Sequence, residues 1–363
     1  MTVKIIFVNL KFQMEQVLEA IILGGGDHQD VENAILHIIL NRGIGQHPNL
    51  RFNLNEISNE EAKGNFRFEK QDIPILARLL EIPNLIRTES RNVVEGTTAL
   101  AILLRRLAYP NRWQDLTTLF HLSSQSLSQI ASHTANIILA NKGVLLENLN
   151  NLQWLNHNRL RQYAVAIHEK GAAVPNCWGF IDGTARQICR PSVDQDQYYS
   201  GHKRCHCVKY QSVLCPDGLI VNLKGAWPGR RHDAGMFRES NLYQELVEVA
   251  RFQHESYVLY GDAAYGIREL LLGPYTGGNL LQIQRNFNNS MKVLRIAVEW
   301  GFQKVASQFA FVDFKKNQKL LLQEVETMYK IAVLLTNCHT CLYGSETSQY
   351  FDIVPPPLEV YLG

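Results

Sequence analysis

The sequence contains no apolar stretch of about 18–20 residues, the length that a membrane-spanning helix needs. Its start, MTVKIIFVNLKFQMEQV, also lacks the long apolar core and the small-residue cleavage site of a signal peptide. We therefore expect an intracellular protein, neither secreted nor membrane-spanning. Its seven cysteines are then expected to be reduced thiols.

Excess charge of either sign is also missing. The formal net charge of the 363 residues is +2, and no block of lysine and arginine occurs. A nearly neutral chain has no bulk electrostatic attraction for nucleic acid or for an anionic membrane. Any role on DNA must therefore come from local chemistry. With 46% hydrophobic residues, the chain is long enough for two packed units.

Residues 1–60 form a poorly defined N-terminal segment. Apolar patterns predict helices over Gln16–Leu23 and near Val31–Leu40, separated by Gly24-Gly25-Gly26. This glycine run is not followed by the Gly-Lys-Ser/Thr of a phosphate-binding loop. A linker is the preferred interpretation.

Residues 61–170 predict an all-α, helix-turn-helix-like domain. Leucines recur at i, i+3, i+4 and i+7 in a helix that Pro110 ends: Leu100, Leu103, Leu104 and Leu107. A short helix, a break at residues 121–124 and a serine-capped helix follow, which is the helix-turn-helix arrangement. The outward face of the last helix carries Gln, Ser and His but no Lys or Arg. DNA contact and plain three-helix packing therefore stay open.

Residues 171–363 predict an α/β domain with a mixed sheet. Strands are expected at Cys177–Ile181, Cys205–Cys215, Leu219–Trp227 and Tyr257–Tyr260, with helices over about Ala234–Phe252 and from about Asn289. Pro216-Asp217-Gly218 is a strong hairpin signal. As a turn residue, Asp217 is expected to tolerate asparagine.

Three acidic residues stand where this architecture places an active site. Asp182 and Asp262 each follow a buried strand, and the carboxyl ends of such strands carry the sites of open α/β sheets. Glu299 lies at the margin of the apolar stripe of the long helix. Three carboxylates suit Mg²⁺ or Mn²⁺, and phosphodiester cleavage uses two such cations about 3.5–4 Å apart. The pattern predicts a metal-dependent catalytic site.

Each of these residues also has a purely structural interpretation. Asp182 begins an Asp-Gly pair typical of tight turns. Glu299 could pair with Arg295 four residues earlier, and Asp262 could cap the turn that follows it. The combination is more informative than any one residue.

Basic residues cluster between the first two carboxylates. Residues 182–232 contain eight Lys and Arg against four Asp. Five loop residues are candidates to hold a phosphate backbone: His202, Lys203, Arg204, Arg230 and Arg231. A solvated loop with scattered charges is the alternative.

Six motifs, in the order in which they occur, resemble those of a known protein family. IDGT, YYSGHKR, the PDG hairpin, GRRHDAGMFRES, LYGDAAYG and RIAVEWGF resemble, in this order, the DDE domain of PIF/Harbinger transposases and the nucleases derived from them. The resemblance covers roughly residues 62–362. It implies an RNase H-like catalytic domain, with Asp182, Asp262 and Glu299 as catalytic residues and metal ligands. It also adds Asp233 as a metal ligand, although Asp233 could equally cap a helix.

The resemblance implies a metal-dependent DNA endonuclease or transposase. It further implies a separate Myb-like DNA-binding partner and action in the nucleus. One alternative is a domesticated, catalytically silent derivative that binds DNA or protein. Another is an unrelated metal-dependent phosphoesterase acting on small substrates.

Overall fold

A computed structural model describes residues 51–320 and 324–363. The helices predicted at Gln16–Leu23 and Val31–Leu40, and the glycine run between them, lie outside the described residues. The chain divides into two compact units, which are considered separately. Residues 51–53 and 112–128 belong to one, and residues 54–111, 129–320 and 324–363 to the other. No helix within these ranges is long and apolar enough to cross a bilayer.

The helices follow one another along the chain as α1 Asn59–Phe66, α2 Asp72–Leu79, α3 Gly96–Ala108, α4 Trp113–Phe120, α5 Ser124–Lys142, α6 Val144–Glu147, α7 His157–Glu169, α8 Gln195–Tyr198, α9 Asp233–Glu239, α10 Leu242–Ala250, α11 Gln282–Gln308, α12 Val325–Tyr343, α13 Glu346–Phe351 and α14 Leu358–Leu362. The strands are β1 Leu85–Arg87, β2 Val93–Glu95, β3 Cys177–Gln187, β4 Tyr199–Ser200, β5 Cys205–Leu214, β6 Ile220–Pro228, β7 Val258–Tyr260 and β8 Leu271–Leu272.

The helices of the predicted helix-turn-helix region form where the sequence places them. The four leucines of α3 are fully buried, and the helix ends at Ala108, two residues before Pro110. Within residues 112–128, α4 ends at His121 in the left-handed conformation, with φ of 52°. The Ser123 hydroxyl then accepts the backbone N–H of Ser126 at 3.1 Å, which caps the next helix. DNA contact by this region stays a prediction, as do the domain boundaries at residues 60 and 170.

A mixed six-stranded sheet organises the second half of the chain. Its strand order is β4-β5-β3-β7-β8, and β6 pairs with β5. β3 is antiparallel to β5 but parallel to β7. The helices α7 and α11 pack on β3, and α12 packs on β6. This curled mixed sheet with flanking helices is an RNase H-like arrangement, which confirms the predicted fold class.

Three predicted element boundaries are wrong. The long helix expected from about Asn289 begins seven residues earlier, at Gln282. The first strand does not end before Asp182 but continues to Gln187, because pairing with β5 persists through residue 187. The single helix predicted over Ala234–Phe252 is two helices. They are separated at Ser240-Asn241, where Asn241 is left-handed with φ of 57° and the Ser240 hydroxyl accepts the N–H of Leu242.

The predicted β5–β6 hairpin forms, but its aspartate is not an ordinary turn residue. Asp217 is 0% exposed. Its carboxylate accepts hydrogen bonds from Arg159 Nη2 at 3.1 Å and from the Tyr163 hydroxyl, both on α7, and from the Leu219 N–H at 3.1 Å. The expectation that asparagine is tolerated here is therefore wrong, because α7 covers the turn and pairs a cation with it.

A histidine on α12 makes the stability of the fold sensitive to acid. Burial, together with the charges of Lys304 and Arg67, lowers the pKa of His339 to about 3. Its Nδ1 is buried without a partner among the described residues, and its ring packs edge-on against Phe68 and Tyr343. The folded state therefore holds this ring neutral.

We expect His339→Phe to reduce the loss of stability in acid. An unfolded histidine takes up a proton below about pH 6.5. Between that pH and about 3 the unfolded state binds more protons, so stability falls as the pH falls. The free energy of unfolding should drop by about 1–2 kcal/mol more in the wild type than in His339→Phe between pH 7 and pH 5. Urea titrations at both pH values measure this, with the exposed His254→Asn as control. Equal acid sensitivity of the wild type and His339→Phe would disprove the assignment.

Candidate active site

Asp182 lies at an opening in the sheet. The parallel pairing of β3 with β7 reaches only Phe180 opposite Tyr260, whereas the pairing with β5 continues past Asp182. One side of β3 is therefore free of β7 from Asp182 onward. The Asp182 side chain is only 18% exposed, and its Oδ1 accepts the Gly183 N–H at 2.9 Å.

Asp262 is brought against this opening by the turn after β7. A side chain at Gly261 would place its Cβ 2.7 Å from Cγ2 of Ile181, the residue before Asp182. Only glycine lets the turn approach β3 this closely. Asp262 Oδ1 accepts the Ala264 N–H at 2.9 Å, so the carboxylate also caps the turn, as its structural interpretation predicted. The same carboxylate is thus both the cap of the turn and a predicted metal ligand.

Asp233 lies on the other side of the opening. It begins α9, and a Cβ added to Gly183 would stand 3.4 Å from the Asp233 carboxyl carbon. Lys209 Nζ, on β5, lies 3.5 Å from Asp233 Oδ1 and donates to the backbone oxygen of Arg231 at 2.7 Å. The strand thus supplies a cation that holds this third carboxylate in position.

The three aspartates act on one another electrostatically. Burial raises the pKa of the Asp182 carboxyl, and the negative charges of Asp262 and Asp233 raise it further. The Arg295 guanidinium and the Gly183 N–H act in the opposite direction. Burial also holds the pKa of Tyr265 well above its usual range, with the same three carboxylates adding to the effect. Its hydroxyl therefore stays protonated, and it is buried without a hydrogen-bond partner among the described residues.

Arg295 on α11 neutralises part of this acidic group. Its Nη1 donates to Asp182 Oδ2 at 2.7 Å, and both side chains are largely buried. The alternative interpretation of Arg295 as the partner of Glu299 is wrong. Within the described residues, Glu299 forms no ion pair and its side chain is exposed one helical turn beyond Arg295.

Asp233 lies beside Gly183, and the turn that carries Asp262 approaches Ile181, the residue before Asp182. Glu299 is exposed on α11 and stays a predicted ligand, as do the three aspartates. Among the described residues, no set of three or more His, Cys, Asp or Glu side chains has an arrangement that would hold a metal ion. The donor chemistry of the three aspartates nevertheless fits a hard divalent cation, which prefers carboxylate oxygens.

The sequence does not predict the roles of three residues at this site. Arg295 was considered only as the neighbour of Glu299, since nothing local predicts a pair with Asp182, 113 residues away. The position of Lys209 depends on the β3–β5 register, and that of Tyr265 depends on the turn at Gly261. The β-strand alternation that places Lys209 could have indicated it, but only once the β3–β5 register was known.

The basic residues predicted to contact DNA are exposed on two loops. His202, Lys203 and Arg204 occupy the turn between β4 and β5. Arg230 and Arg231 follow β6, where Arg230 Nη1 lies 3.8 Å from Asp196 and Arg231 pairs with Glu239. All five side chains are accessible.

The fold is an RNase H-like α/β domain, and comparisons with known proteins relate it to a nuclease family. The DDE superfamily endonuclease family matches residues 181–337, a range that contains Asp182, Asp233, Asp262 and Glu299. A curated relative is "Protein ALP1-like" from Arabidopsis thaliana, 24% identical over 157 residues, or 40% of this chain. The match spans 38% of the relative's own length. No solved structure matches the chain. Residues 181–337 are therefore similar to the DDE superfamily endonuclease family.

We expect Arg295→Met to lower the stability of the protein without metal and to increase its stabilisation by a divalent cation. Losing the guanidinium leaves Asp182 beside two like charges, so the metal-free protein should lose about 1–3 kcal/mol of stability. A divalent cation should then give a larger rise in melting temperature than in the wild type, because it no longer displaces Arg295. Differential scanning fluorimetry with and without Mn²⁺ measures both effects. Lys292→Met, an exposed change on the same helix, is the control. A smaller rise in Arg295→Met than in the wild type contradicts this role.

Proposed function

We propose that this protein is a divalent-metal-dependent DNA endonuclease of the PIF/Harbinger transposase type. The observation that carries the proposal is the convergence of Asp182, Asp233 and Asp262 where the parallel β3–β7 pairing ends, inside the region matched by the endonuclease family. DDE superfamily endonucleases generally use divalent cations. DNA is the proposed substrate, because the matched family consists of transposase-type endonucleases.

The three aspartates and Glu299 are the proposed ligands of Mg²⁺ or Mn²⁺. Cations bound there would favour attack on a phosphodiester and departure of the leaving oxygen. Glu299 has to approach the aspartates, and it lies on the same helix face as Arg295 because four residues make about one turn. Lys209 keeps Asp233 directed toward Gly183, and Tyr265 offers a hydroxyl donor to the carboxylates.

Arg295 is proposed to act as a counter-ion of Asp182. Its guanidinium lowers the cost of placing the carboxylates close together. A divalent cation bound by Asp182 would compete with this ion pair. A freed arginine on α11 would be available to a DNA phosphate, which guanidinium groups bind in a bidentate manner.

The two exposed basic loops are the proposed contacts for the DNA backbone. His202, Lys203 and Arg204 come from one loop, and Arg230 and Arg231 from the other. The near-neutral net charge of +2 provides little general attraction for DNA. As the resemblance to PIF/Harbinger transposases implies, we also propose a Myb-like partner that supplies DNA binding, and action in the nucleus.

Nicking of supercoiled plasmid tests the proposed activity. The purified protein should convert supercoiled DNA to the nicked form in Mn²⁺ or Mg²⁺ and should leave it intact in EDTA. Equal conversion in EDTA would contradict the proposal. So would absence of conversion in every divalent cation, with and without added partner protein.

A second candidate is a derivative that binds DNA without cutting it. The Arg295–Asp182 ion pair favours it, since a guanidinium beside the first carboxylate competes with a cation. Mn²⁺ titration distinguishes the two, because a silent derivative shows neither a metal-induced rise in melting temperature nor nicking.

A further inference from the structure

A cavity of about 680 Å³ lies between the end of β6 and α9, and two of its lining residues, Arg230 and Arg231, are also proposed DNA contacts. One wall is formed by the end of β6 and the loop after it, and another by α9. Its aromatic and basic lining consists of Trp227, Arg230, Arg231, His232 and Arg238. Asp196 and Glu239, the partners of Arg230 and Arg231, also line the cavity. The volume lies within the range of about 300–1,000 Å³ typical of small-ligand sites.

The cavity and the acidic group share one structural element. Asp233 begins α9, and its neighbours His232 and Ala234 both line the cavity. Lys209 joins the two sites, because its Nζ donates to the Arg231 backbone oxygen at 2.7 Å and lies 3.5 Å from Asp233 Oδ1. Asp233 itself does not line the cavity, so the connection between the two sites runs through the backbone of residues 231–234 and through Lys209.

The loop that forms the cavity wall is held rigidly. A Cβ at Gly229 would lie 2.3 Å from the Tyr198 backbone oxygen and 2.8 Å from that of Cys207. The Arg230 N–H donates to the Gln197 oxygen at 2.9 Å, and the Arg231 N–H to the Pro228 oxygen at 2.9 Å. The arginines thus project from a backbone fixed on both sides, as a preformed binding site requires.

The lining combines one aromatic surface with cationic groups. Trp227 is partly exposed and lines the cavity, so its side chain is available to a ring bound there. Arg238 is exposed and forms no ion pair with any described residue. Arg230 and Arg231 are paired only with exposed carboxylates, which a phosphate can replace. Aromatic stacking with arginine contacts is the chemistry that recognises an unpaired nucleotide.

We propose that this cavity binds an unpaired nucleotide of the DNA substrate, adjacent to the phosphodiester that the acidic site cuts. A base can enter it only after leaving the duplex, at a cost that is lowest where the strand is already unpaired. Trp227 stacks on the base, and Arg238 contacts the neighbouring phosphate. This inference rests on the proposed nuclease function and specifies the form of DNA that the site prefers.

Binding of two matched duplexes in EDTA tests the proposal. One is fully paired and the other carries a single unpaired 2-aminopurine, and fluorescence reports its stacking. The wild type should bind the unpaired site roughly tenfold more tightly, the ratio expected for one stacked base, and should quench its fluorescence. Trp227→Ala should lose both the preference and the quenching while binding the paired duplex within about twofold of the wild type.

Two further variants make the result specific to the cavity. Trp227→Phe should retain most of the preference, because it keeps an aromatic face. Phe314→Ala, an exposed aromatic residue outside the cavity lining, should behave like the wild type. Equal affinity of the wild type for both duplexes, or a full preference in Trp227→Ala, would overturn the proposal.

The same preparations separate this inference from the nuclease function. Plasmid nicking in Mn²⁺ without any preference for unpaired DNA refutes the cavity proposal and leaves the nuclease standing. A Trp227-dependent preference in a protein that never nicks supports the cavity and refutes the nuclease.

Discussion

Asp262→Asn is expected to fold normally, to lose most of the metal-induced stabilisation and to lose DNA cleavage. Asparagine keeps the oxygen that accepts the Ala264 N–H, so the turn after β7 remains capped. It removes one of the charges that raise the pKa of Asp182, so the metal-free protein should be no less stable than the wild type. What it loses is a charged ligand.

The size of the effect follows from mass action and ligand strength. A cation at a hundredfold excess over its Kd stabilises the wild type by about 2.7 kcal/mol. Most of this gain should disappear in Asp262→Asn, and the nicking rate should fall by at least about a hundredfold. Melting curves with and without Mn²⁺ and a plasmid assay measure the two effects on one preparation.

Asp352→Asn is the matched control. Asp352 is exposed at the end of α13 and left-handed, with φ of 55°, a conformation that asparagine also adopts readily. The change removes the same charge and should preserve both responses. A wild-type metal shift together with wild-type nicking in Asp262→Asn would show that Asp262 is not a ligand.

Asp217→Asn is expected to destabilise the fold by about 3–5 kcal/mol, the usual cost of breaking a buried ion pair from one side. Burial raises the pKa of Asp217 and the Arg159 charge opposes that rise, so the carboxylate depends on this partner. Asparagine would leave the largely buried Arg159 guanidinium without its counter-charge. It would also present an amide N–H₂ where Asp217 accepts bonds from Arg159 and Tyr163.

Urea unfolding of four proteins measures this prediction. The wild type, Asp217→Asn, Arg159→Met and the double variant form a double-mutant cycle. The double variant should be more stable than the sum of the two single effects predicts, since it no longer buries an unpaired charge. A loss below about 0.5 kcal/mol in Asp217→Asn, the range of an ordinary surface change, would contradict the role of the pair.

These two aspartates show what the sequence could and could not predict. The hairpin at Pro216-Asp217-Gly218 is a local signal, so its position was predicted correctly. The environment of Asp217 depends on Arg159 and Tyr163, more than 50 residues earlier, and no local pattern indicates that α7 covers the turn. The tolerance to asparagine was therefore predicted wrongly.

The candidate site divides in the same way. Asp182 and Asp262 could be predicted as candidate site residues because each comes directly after a short apolar run, which is a local pattern in the sequence. The continuation of β3 to Gln187 was missed because Asp182-Gly183 resembles a turn, whereas antiparallel pairing with β5 keeps the segment extended. The Arg295–Asp182 pair joins a helix to a strand 113 residues away and required the tertiary structure. Glu299 as a ligand stays a prediction.

The most direct test of the central claim compares the wild type with Asp182→Ala in the plasmid assay. Both proteins should fold, which circular dichroism checks, and Mn²⁺ should be present above its Kd. The wild type should nick supercoiled DNA, and Asp182→Ala should nick none above the EDTA background. Nicking by Asp182→Ala at the wild-type rate would show that the acidic group at the end of the β3–β7 pairing does not cut DNA.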